Sequence, residues 1–234
     1  MSARQLNVVL VVLLAAGLGI GLWSVHKLGG WRYLAHRLHT LEPWPTYTQR
    51  ASQLELLPAA ESGILFLGDS HVAFGEWQEL LPNHQVFNRG VPGEGSQRLL
   101  ESTYLRKAFA KTSDTILLQV GTNDLLFADR LPRAYAELLW MLTADANNYV
   151  LVCTLPGVNN EVRWTGIKPR DIIQANQSIR KVAAKRVNIK LVDLAEALGT
   201  NHGVLPSSLT DDGVHLRGEG YIKWAHAIEA ALER

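Results

Sequence analysis

Short apolar runs that alternate with helical stretches are the feature that most restricts how this 234-residue chain can fold. Apolar strands without polar alternation are buried on both faces, and helices between them allow neighbouring strands to run in one direction. The predicted strands are 64–67, 84–87, 115–120, 149–154 and 190–192. The predicted helices are 97–111, 131–144, 169–186 and 218–232. The sequence therefore predicts an α/β fold, a three-layer α/β/α sandwich around a mainly parallel five-stranded sheet.

The N-terminal part of the chain contains a long stretch without charge. Residues 5–26 include no Lys, Arg, Asp or Glu, and residues 6–25 are apolar except for Asn7 and Ser24. A helix over residues 6–25 would span roughly 30 Å, which matches the hydrocarbon core of a bilayer. We therefore expect a single N-terminal transmembrane helix, an anchor over residues 1–27, ahead of the α/β fold.

A cleaved signal peptide is the alternative interpretation of this stretch. Such a peptide has a short apolar region followed by small residues at the cleavage site, whereas this stretch ends in the bulky residues Leu22 and Trp23. Lys27, Arg32 and Arg37 follow it and oppose export of the C-terminal part under the positive-inside rule. Because only a short leader precedes the anchor, an extracytoplasmic or periplasmic domain is still the expected topology.

Residues 28–60 are expected to connect the anchor to a folded domain at 61–234. Between Trp31 and Leu41, apolar residues recur at helical spacing among Arg and His side chains. This pattern fits either an amphipathic helix on a bilayer surface or a linker helix packed on the domain. The cluster of Pro43 and Pro45 is expected to break any helix and to begin a connecting segment.

Composition excludes some classes of function. Lys and Arg number 23 against 22 Asp and Glu, so the chain lacks the basic surplus with which nucleic-acid binders neutralise phosphates, and no nucleic-acid partner is expected. Cys153 is the only cysteine, which excludes an internal disulfide. Its position in an apolar run predicts a buried thiol. The oligomeric state is left open by the sequence.

Four polar or glycine-rich segments follow predicted strands or precede the last helix. They are Gly-Asp-Ser-His at 68–71, Asn-Arg-Gly-Val-Pro-Gly-Glu-Gly-Ser at 88–96, Gly-Thr-Asn-Asp at 121–124 and Asp-Asp-Gly-Val-His at 211–215. Ligands of open parallel sheets bind beyond the carboxyl ends of the strands. The four segments are therefore expected to meet at one site. Ser70 would lie at a strand-to-helix junction, where helix N-terminal N–H groups stabilise nearby negative charge.

Asp212 and His215 lie three positions apart on one loop. A turn at Gly213 can bring the carboxylate onto the imidazole, which orients one tautomer and supports the imidazolium that forms during proton transfer. A serine hydroxyl becomes a competent nucleophile when an adjacent base takes its proton. Each segment alone is typical of ordinary turns, but together, each after its own strand, they predict a serine-based catalytic site.

The same four segments resemble the SGNH hydrolases, also called the GDSL-type esterases and lipases. The matching blocks are 66–70, 88–94, 121–124 and 212–216, with Gly220 and Tyr221 downstream. The resemblance implies a flavodoxin-like fold and hydrolysis of carboxylic esters through an acyl-enzyme. It also implies that Ser70 is the nucleophile, His215 the base and Asp212 the residue that orients the base. The oxyanion hole would comprise Ser70, Gly93 and Asn123.

Two positions depart from the family's usual pattern. Glu94 stands where Asp is commoner, and His71 follows the serine where Leu or Ile is usual. Neither change touches the expected catalytic set. Within the second block, Gly93 is preferred to Gly90 for the oxyanion hole because it occupies the family's final glycine before the acidic residue.

Other site chemistries fit these residues less well. An α/β-hydrolase needs Gly-x-Ser-x-Gly, whereas position 72 is Val. The glycines at 90–95 do not form a dinucleotide signature and no phosphate-binding loop is present, so no cofactor is expected. Asp69, His71, Asp212 and His215 are residue types that bind divalent ions, but no further His-x-His spacing accompanies them, so no metal is expected either. We expect Asp69 and Asp124 to bind loop backbone instead.

The substrate class remains open at this stage. A small-molecule ester, or an acyl ester of a glycan or lipid such as an O-acetyl group, is compatible with the expected site. Acyl transfer to an envelope sugar and a non-catalytic binding domain of the same fold are the alternatives. The loop at 156–169 is long enough to form one wall of the pocket, and its Trp164 could stack on a sugar ring or pack against the domain.

Overall fold

The computed structural model describes residues 3–27, 45–60, 62–108, 115–126, 131, 133–145 and 147–233. The chain divides into two compact units, Met1–Glu42 and Pro43–Arg234. The predicted division into segments at 1–27, 28–60 and 61–234 stays a prediction.

The first unit contains one described helix, α1, which runs over Ala3–Lys27. The helical part of the N-terminal prediction is therefore confirmed. Among the described residues, however, there is no helix with the length and apolar character needed to cross a membrane. The transmembrane helix in the predicted fold is thus not found. The expected amphipathic segment at 31–41 lies outside the described residues.

The second unit contains five strands. They are β1 (Ile64–Gly68), β2 (Val86–Gly90), β3 (Thr115–Gln119), β4 (Tyr149–Cys153) and β5 (Ile189–Val192). Its helices are α2 (Pro45–Leu56), α3 (Ser70–Ala73), α4 (Trp77–Leu80), α5 (Ser96–Glu101), α6 (Thr103–Ala108), α7 (Arg133–Leu142), α8 (Pro169–Ala183), α9 (Leu194–Ala197) and α10 (Gly218–Leu232). Two 3₁₀ turns occupy Asp124–Leu126 and Ser207–Leu209.

The strands form one sheet in the order β2-β1-β3-β4-β5, and every adjacent pair is parallel. This order is that of flavodoxin-like sheets. Because successive side chains of a strand point to opposite faces, Leu65 and Leu67 belong to one hydrophobic cluster and Ile64 and Phe66 to another. Helices α2 and α5–α8 cover the first face, while α4, α9 and α10 cover the second. The predicted three-layer sandwich is confirmed.

Local chain geometry accounts for the differences from the predicted elements. The predicted helix 97–111 is divided at Ser102, whose extended backbone separates α5 from α6. Helix α2 begins at Pro45, where a helix was not expected. Proline is well tolerated in the first turn of a helix because the missing N–H would have no intrahelical partner there. Tyr47 and Leu54 of this helix are buried in the first hydrophobic cluster, which stabilises it.

Candidate active site

The end of β1 positions Ser70 at the carboxyl edge of the sheet. Ser70 is the first residue of α3, and the Asp69 side chain caps that helix by accepting the His71 N–H at 2.9 Å. Gly68 is required before this turn because a methyl group there would lie 2.0 Å from the Gln119 carbonyl oxygen of β3. The short strand-to-helix connection thus fixes the backbone on both sides of the serine.

The loop before α10 is shaped by one carboxylate. Oδ1 of Asp212 accepts the backbone N–H groups of Val214 at 2.9 Å and His215 at 2.8 Å, and Gly213 adopts a φ of 83° that favours glycine. Oδ2 of Asp212 lies 2.6 Å from His215 Nδ1. Partial burial raises the pKa of Asp212, but hydrogen bonds from the His215 ring and from these backbone groups outweigh it and hold the pKa at about 2.

The loop places His215 directly against the serine. Nε2 of His215 lies 2.9 Å from Ser70 Oγ. Since the ionised Asp212 carboxylate can only accept, Nδ1 of the ring carries the proton and Nε2 presents its lone pair to the hydroxyl. The structure therefore brings together Ser70, His215 and Asp212 in the order that proton abstraction requires.

The two remaining predicted site residues lie on neighbouring loops of the same edge. Gly93 follows β2 and has a φ of 83°, and Asn123 follows β3. Nδ2 of Asn123 donates to the Glu94 carbonyl oxygen at 2.8 Å, which ties the two loops together. The amide has a second hydrogen that this bond does not use. Their roles in an oxyanion hole stay predictions.

Gly90 has a different environment from Gly93. A methyl group at Gly90 would lie 2.4 Å from the backbone nitrogen of Ala73. Glycine is needed at this position because β2 packs closely against α3, the helix that begins at Ser70. This packing role is consistent with the choice of Gly93 for the oxyanion hole.

The acidic residues beside the catalytic set bind loop backbone, as expected. Asp69 accepts the His71 N–H, and the Asp124 carboxylate accepts the Ser96 N–H at 3.1 and 3.2 Å. Burial raises the pKa of Asp124 to about 6 although the Ser96 hydrogen bond opposes the shift. No group of three or more His, Cys, Asp or Glu side chains within the described ranges is arranged to hold a metal ion.

The loop at 156–169 borders the loop at 211–215 that carries Asp212 and His215, which we call the catalytic loop. Asn159 N–H donates to the Gly213 carbonyl oxygen at 2.7 Å, and a methyl group at Gly213 would lie 3.0 Å from the Arg163 carbonyl oxygen. Trp164 is 46% exposed, so it does not pack fully against the domain.

Two neighbours of the site were missed in the sequence. Phe74 follows α3 as its C-cap residue. Its side chain is 51% exposed, and its ring centroid lies 5.3 Å from that of His215. The ring of His71 is buried, and its centroid lies 5.7 Å from that of the His215 ring. Phe74 offered no signal because an isolated aromatic residue is unremarkable, whereas His71 did offer one as a departure from the family's usual residue.

A serine, histidine and aspartate joined at the carboxyl edge of a parallel sheet form the site of a serine-dependent hydrolase. Val72 stands where a nucleophile elbow has its second glycine. The model of the GDSL-like Lipase/Acylhydrolase family matches residues 66–222. The chain belongs to this family, and it is an ester-hydrolysing enzyme. The sequence-based resemblance is thereby confirmed. No match was found among curated proteins.

Solved structures share the fold. A protein from Streptococcus pneumonia is 22% identical with a TM-score of 0.68, covering 80% of this chain and 92% of its own. A GDSL-like lipase from Bacteroides thetaiotaomicron is 20% identical with a TM-score of 0.60, covering 80% and 97%. An acetylxylan esterase from Geobacillus stearothermophilus is 18% identical with a TM-score of 0.56, covering 76% and 96%.

Proposed function

We propose that the chain hydrolyses carboxylic esters through an acyl-enzyme on Ser70. The observation that carries the proposal is the continuous contact from Asp212 through His215 to Ser70, at 2.6 and 2.9 Å. These distances lie within the range for a nucleophile, its base and the group that orients the base.

The reaction follows from these positions. His215 Nε2 takes the Ser70 proton as Oγ attacks the ester carbonyl, and the imidazolium then gives that proton to the departing alcohol. A water molecule attacks the acyl-enzyme by the same route, which releases the acid and restores the serine. In both steps the carbonyl oxygen becomes negative. The Ser70 and Gly93 N–H groups and the Asn123 amide would stabilise that charge, each donor lowering the barrier by about 3–4 kcal/mol.

Access of water to the base supports hydrolysis over acyl transfer. The side chains of His215 and Asp212 are each 38% exposed. An acyl transferase must exclude water from the base while its acceptor binds. The open base therefore favours water as the second nucleophile.

An O-acetylated carbohydrate is the substrate class we propose. The half-exposed ring of Phe74 lies beside His215, and Trp164 is exposed on the loop that contacts the catalytic loop. Aromatic rings with one free face suit the apolar faces of sugars. The acetylxylan esterase from Geobacillus stearothermophilus shows that this fold can serve such a substrate.

Kinetics of the purified full-length chain test the reaction. We expect turnover of 4-nitrophenyl acetate, stoichiometric labelling by a serine-directed phosphonate, and loss of both in Ser70→Ala. His215→Ala should be nearly as damaging because the two residues act as one unit. Activity that survives in Ser70→Ala would overturn the assignment of the nucleophile, as would a wild-type chain inert to both reagents.

A substrate panel tests the acyl and alcohol groups. Acetylated xylose oligomers should be cleaved with a higher kcat/KM than aryl esters of long acyl chains or lysophospholipids. A preference for the long-chain esters would contradict the carbohydrate proposal while leaving the acyl-enzyme mechanism intact.

We further propose that the N-terminal segment holds the enzyme at a membrane with the catalytic domain on the extracytoplasmic side. The support is the uncharged sequence at 5–26. Sodium carbonate extraction of cell membranes should leave the full-length chain in the pellet and release a chain that begins at residue 43. A reporter fused after Arg234 should be active only outside the cytoplasm, and the opposite result would reverse the proposed topology.

A further inference from the structure

A second Asp–His pair lies beside the catalytic one. His71 is fully buried, its Nδ1 lies 3.0 Å from Asp69 Oδ1, and its Nε2 lies 3.0 Å from the carbonyl oxygen of Val214. Val214 immediately precedes the base His215. The buried ring therefore connects the nucleophile segment to the catalytic loop across 143 positions of the sequence.

The acceptors around the ring define its protonation. A carbonyl oxygen only accepts hydrogen bonds, so Nε2 of His71 must carry a proton. Nδ1 faces a carboxylate oxygen that also accepts the His71 backbone N–H, which favours a proton on Nδ1 as well. Desolvation by burial lowers the pKa of His71, but the charge and hydrogen bond of Asp69 and the Val214 carbonyl outweigh it, so the pKa is raised.

A second contact ties residue 71 to the helix that follows the catalytic loop. The Tyr221 hydroxyl of α10 donates to the His71 carbonyl oxygen at 3.0 Å. Both ends of the segment 214–221 therefore contact residue 71. A reacting pair must be held within about 0.5 Å of its working geometry, and the Ser70–His215 distance depends on how these two parts of the chain are joined.

We propose that His71 is a positioning residue: as a buried imidazolium held by Asp69, it fixes the Val214 carbonyl and thereby holds His215 against Ser70. The charged groups that face it are Asp69, at hydrogen-bond distance, and Asp212 together with the His215 ring across the loop. This inference rests on the proposed function of Ser70 and His215, and adds a residue that touches neither the substrate nor the reacting atoms.

Two amide substitutions separate the contacts of the ring. In His71→Gln the amide nitrogen replaces Nε2 and can still reach Val214, whereas in His71→Asn the amide replaces Nδ1 and reaches only Asp69. We expect kcat for 4-nitrophenyl acetate to fall roughly ten- to a hundred-fold in His71→Asn. In His71→Gln it should stay within about threefold of wild type, with KM little changed in both. His226→Asn, an exposed site on α10, is the matched control.

Equal kcat in His71→Asn and wild type, or a larger loss in His71→Gln than in His71→Asn, would overturn the proposal. The second result would mean that the ring serves only as a buried partner for Asp69. Urea unfolding of both variants shows whether each is folded. The rate of Ser70 labelling by the phosphonate should follow the same order as kcat.

Nitrogen-15 NMR of the wild-type chain tests the charge without any substrate. We expect both ring nitrogens of His71 to be protonated at pH 7, with a slowly exchanging Nδ1 proton. A neutral His71 ring would overturn the proposal that this residue is an imidazolium. If the phosphonate labels Ser70 of wild type and the two variants at rates in the expected order but no ester is cleaved, the proposed function fails while the role of His71 stands.

Discussion

The Asp212 carboxylate has two structural effects on the base. One oxygen accepts two backbone N–H groups and closes the turn, and the other accepts the His215 ring proton. A single side chain therefore determines both where the imidazole lies and which nitrogen carries its proton. Because the pKa of Asp212 is about 2, the carboxylate stays ionised throughout the range in which the enzyme would be assayed.

Asp212→Asn separates these effects, because it preserves size while replacing one acceptor by a donor. The amide would face Nδ1 and favour the tautomer with the proton on Nε2, which cannot accept the serine proton. We expect kcat to fall by roughly ten-thousand-fold at nearly constant KM, measured with 4-nitrophenyl acetate. The adjacent, exposed Asp211→Asn is the control. A rate within a few-fold of wild type would refute the orienting role.

Phe74→Ala tests the proposed contact with the alcohol side of the substrate. The ring is half-exposed beside His215, so its removal should raise KM for acetylated xylose oligomers about five- to tenfold. That loss corresponds to about 1 kcal/mol of ring contact. KM for 4-nitrophenyl acetate should change less. Trp140→Ala, which removes an exposed ring on α7, provides the comparison, and an equal effect on both substrates would contradict a sugar contact.

At the scale of elements, the β2–α5 connection contains a buried carboxyl next to Gly93. Glu94 is buried and accepts hydrogen bonds from the hydroxyls of Tyr47 and Tyr104. Burial raises its pKa to about 7, although the Tyr104 hydrogen bond and the Arg98 charge act in the opposite direction. The folded chain therefore favours the protonated carboxyl, at the position whose carbonyl oxygen holds Asn123.

This raised pKa predicts a pH-dependent stability. The carboxyl ionises near 4.5 in an unfolded chain, so its contribution to folding is complete below that value and is lost as the pH rises through about 7. Glu94→Gln cannot ionise. Its urea midpoint should match or fall below that of wild type at pH 5 and exceed it at pH 8.5. Between these two pH values, the free energy of unfolding of the variant relative to wild type should rise by on the order of 2–3 kcal/mol. Parallel pH profiles for the two chains would show that Glu94 is not the cause.

Helix α2 belongs to the whole-molecule scale because it joins parts of the chain that are distant in sequence. Tyr47 and Leu54 are buried in the first hydrophobic cluster. Arg50 donates to the carbonyl oxygens of Gly90 at 3.2 Å and Asn88 at 3.0 Å. The helix therefore supports the end of β2, from which the connection that carries Gly93 begins.

Removal of α2 tests how far the folded domain extends. A chain of residues 61–234 loses three buried side chains, those of Tyr47, Leu54 and Ala60. The two larger ones each contribute roughly 1.5–3 kcal/mol, and the Arg50 hydrogen bonds are lost with them. We expect a lower urea midpoint and lower esterase activity than in a chain of residues 43–234, which retains the whole compact unit. Equal stability of the two chains would support the predicted boundary at residue 61.

The sequence by itself determined four of the five strands, their shared direction and the four segments that carry Ser70, Gly93, Asn123 and the Asp212–His215 pair. It could do so because a strand buried on both faces must be apolar throughout, and because short polar segments after such strands meet at one edge. The second strand was expected at 84–87 and lies at Val86–Gly90. Helix α2 and the break at Ser102 were not predictable in this way, since both depend on local backbone and on burial against distant residues.

Only the tertiary structure decided how the site is held together. The contacts of His71 with Val214 and of Asn123 with Glu94 join residues 143 and 29 positions apart, and no local pattern records such pairings. The exposure of Phe74 beside His215 has the same origin. Residue types specify what chemistry a segment can perform, but distances and burial arise from packing of the whole chain, which sets where each group lies and whether it is charged.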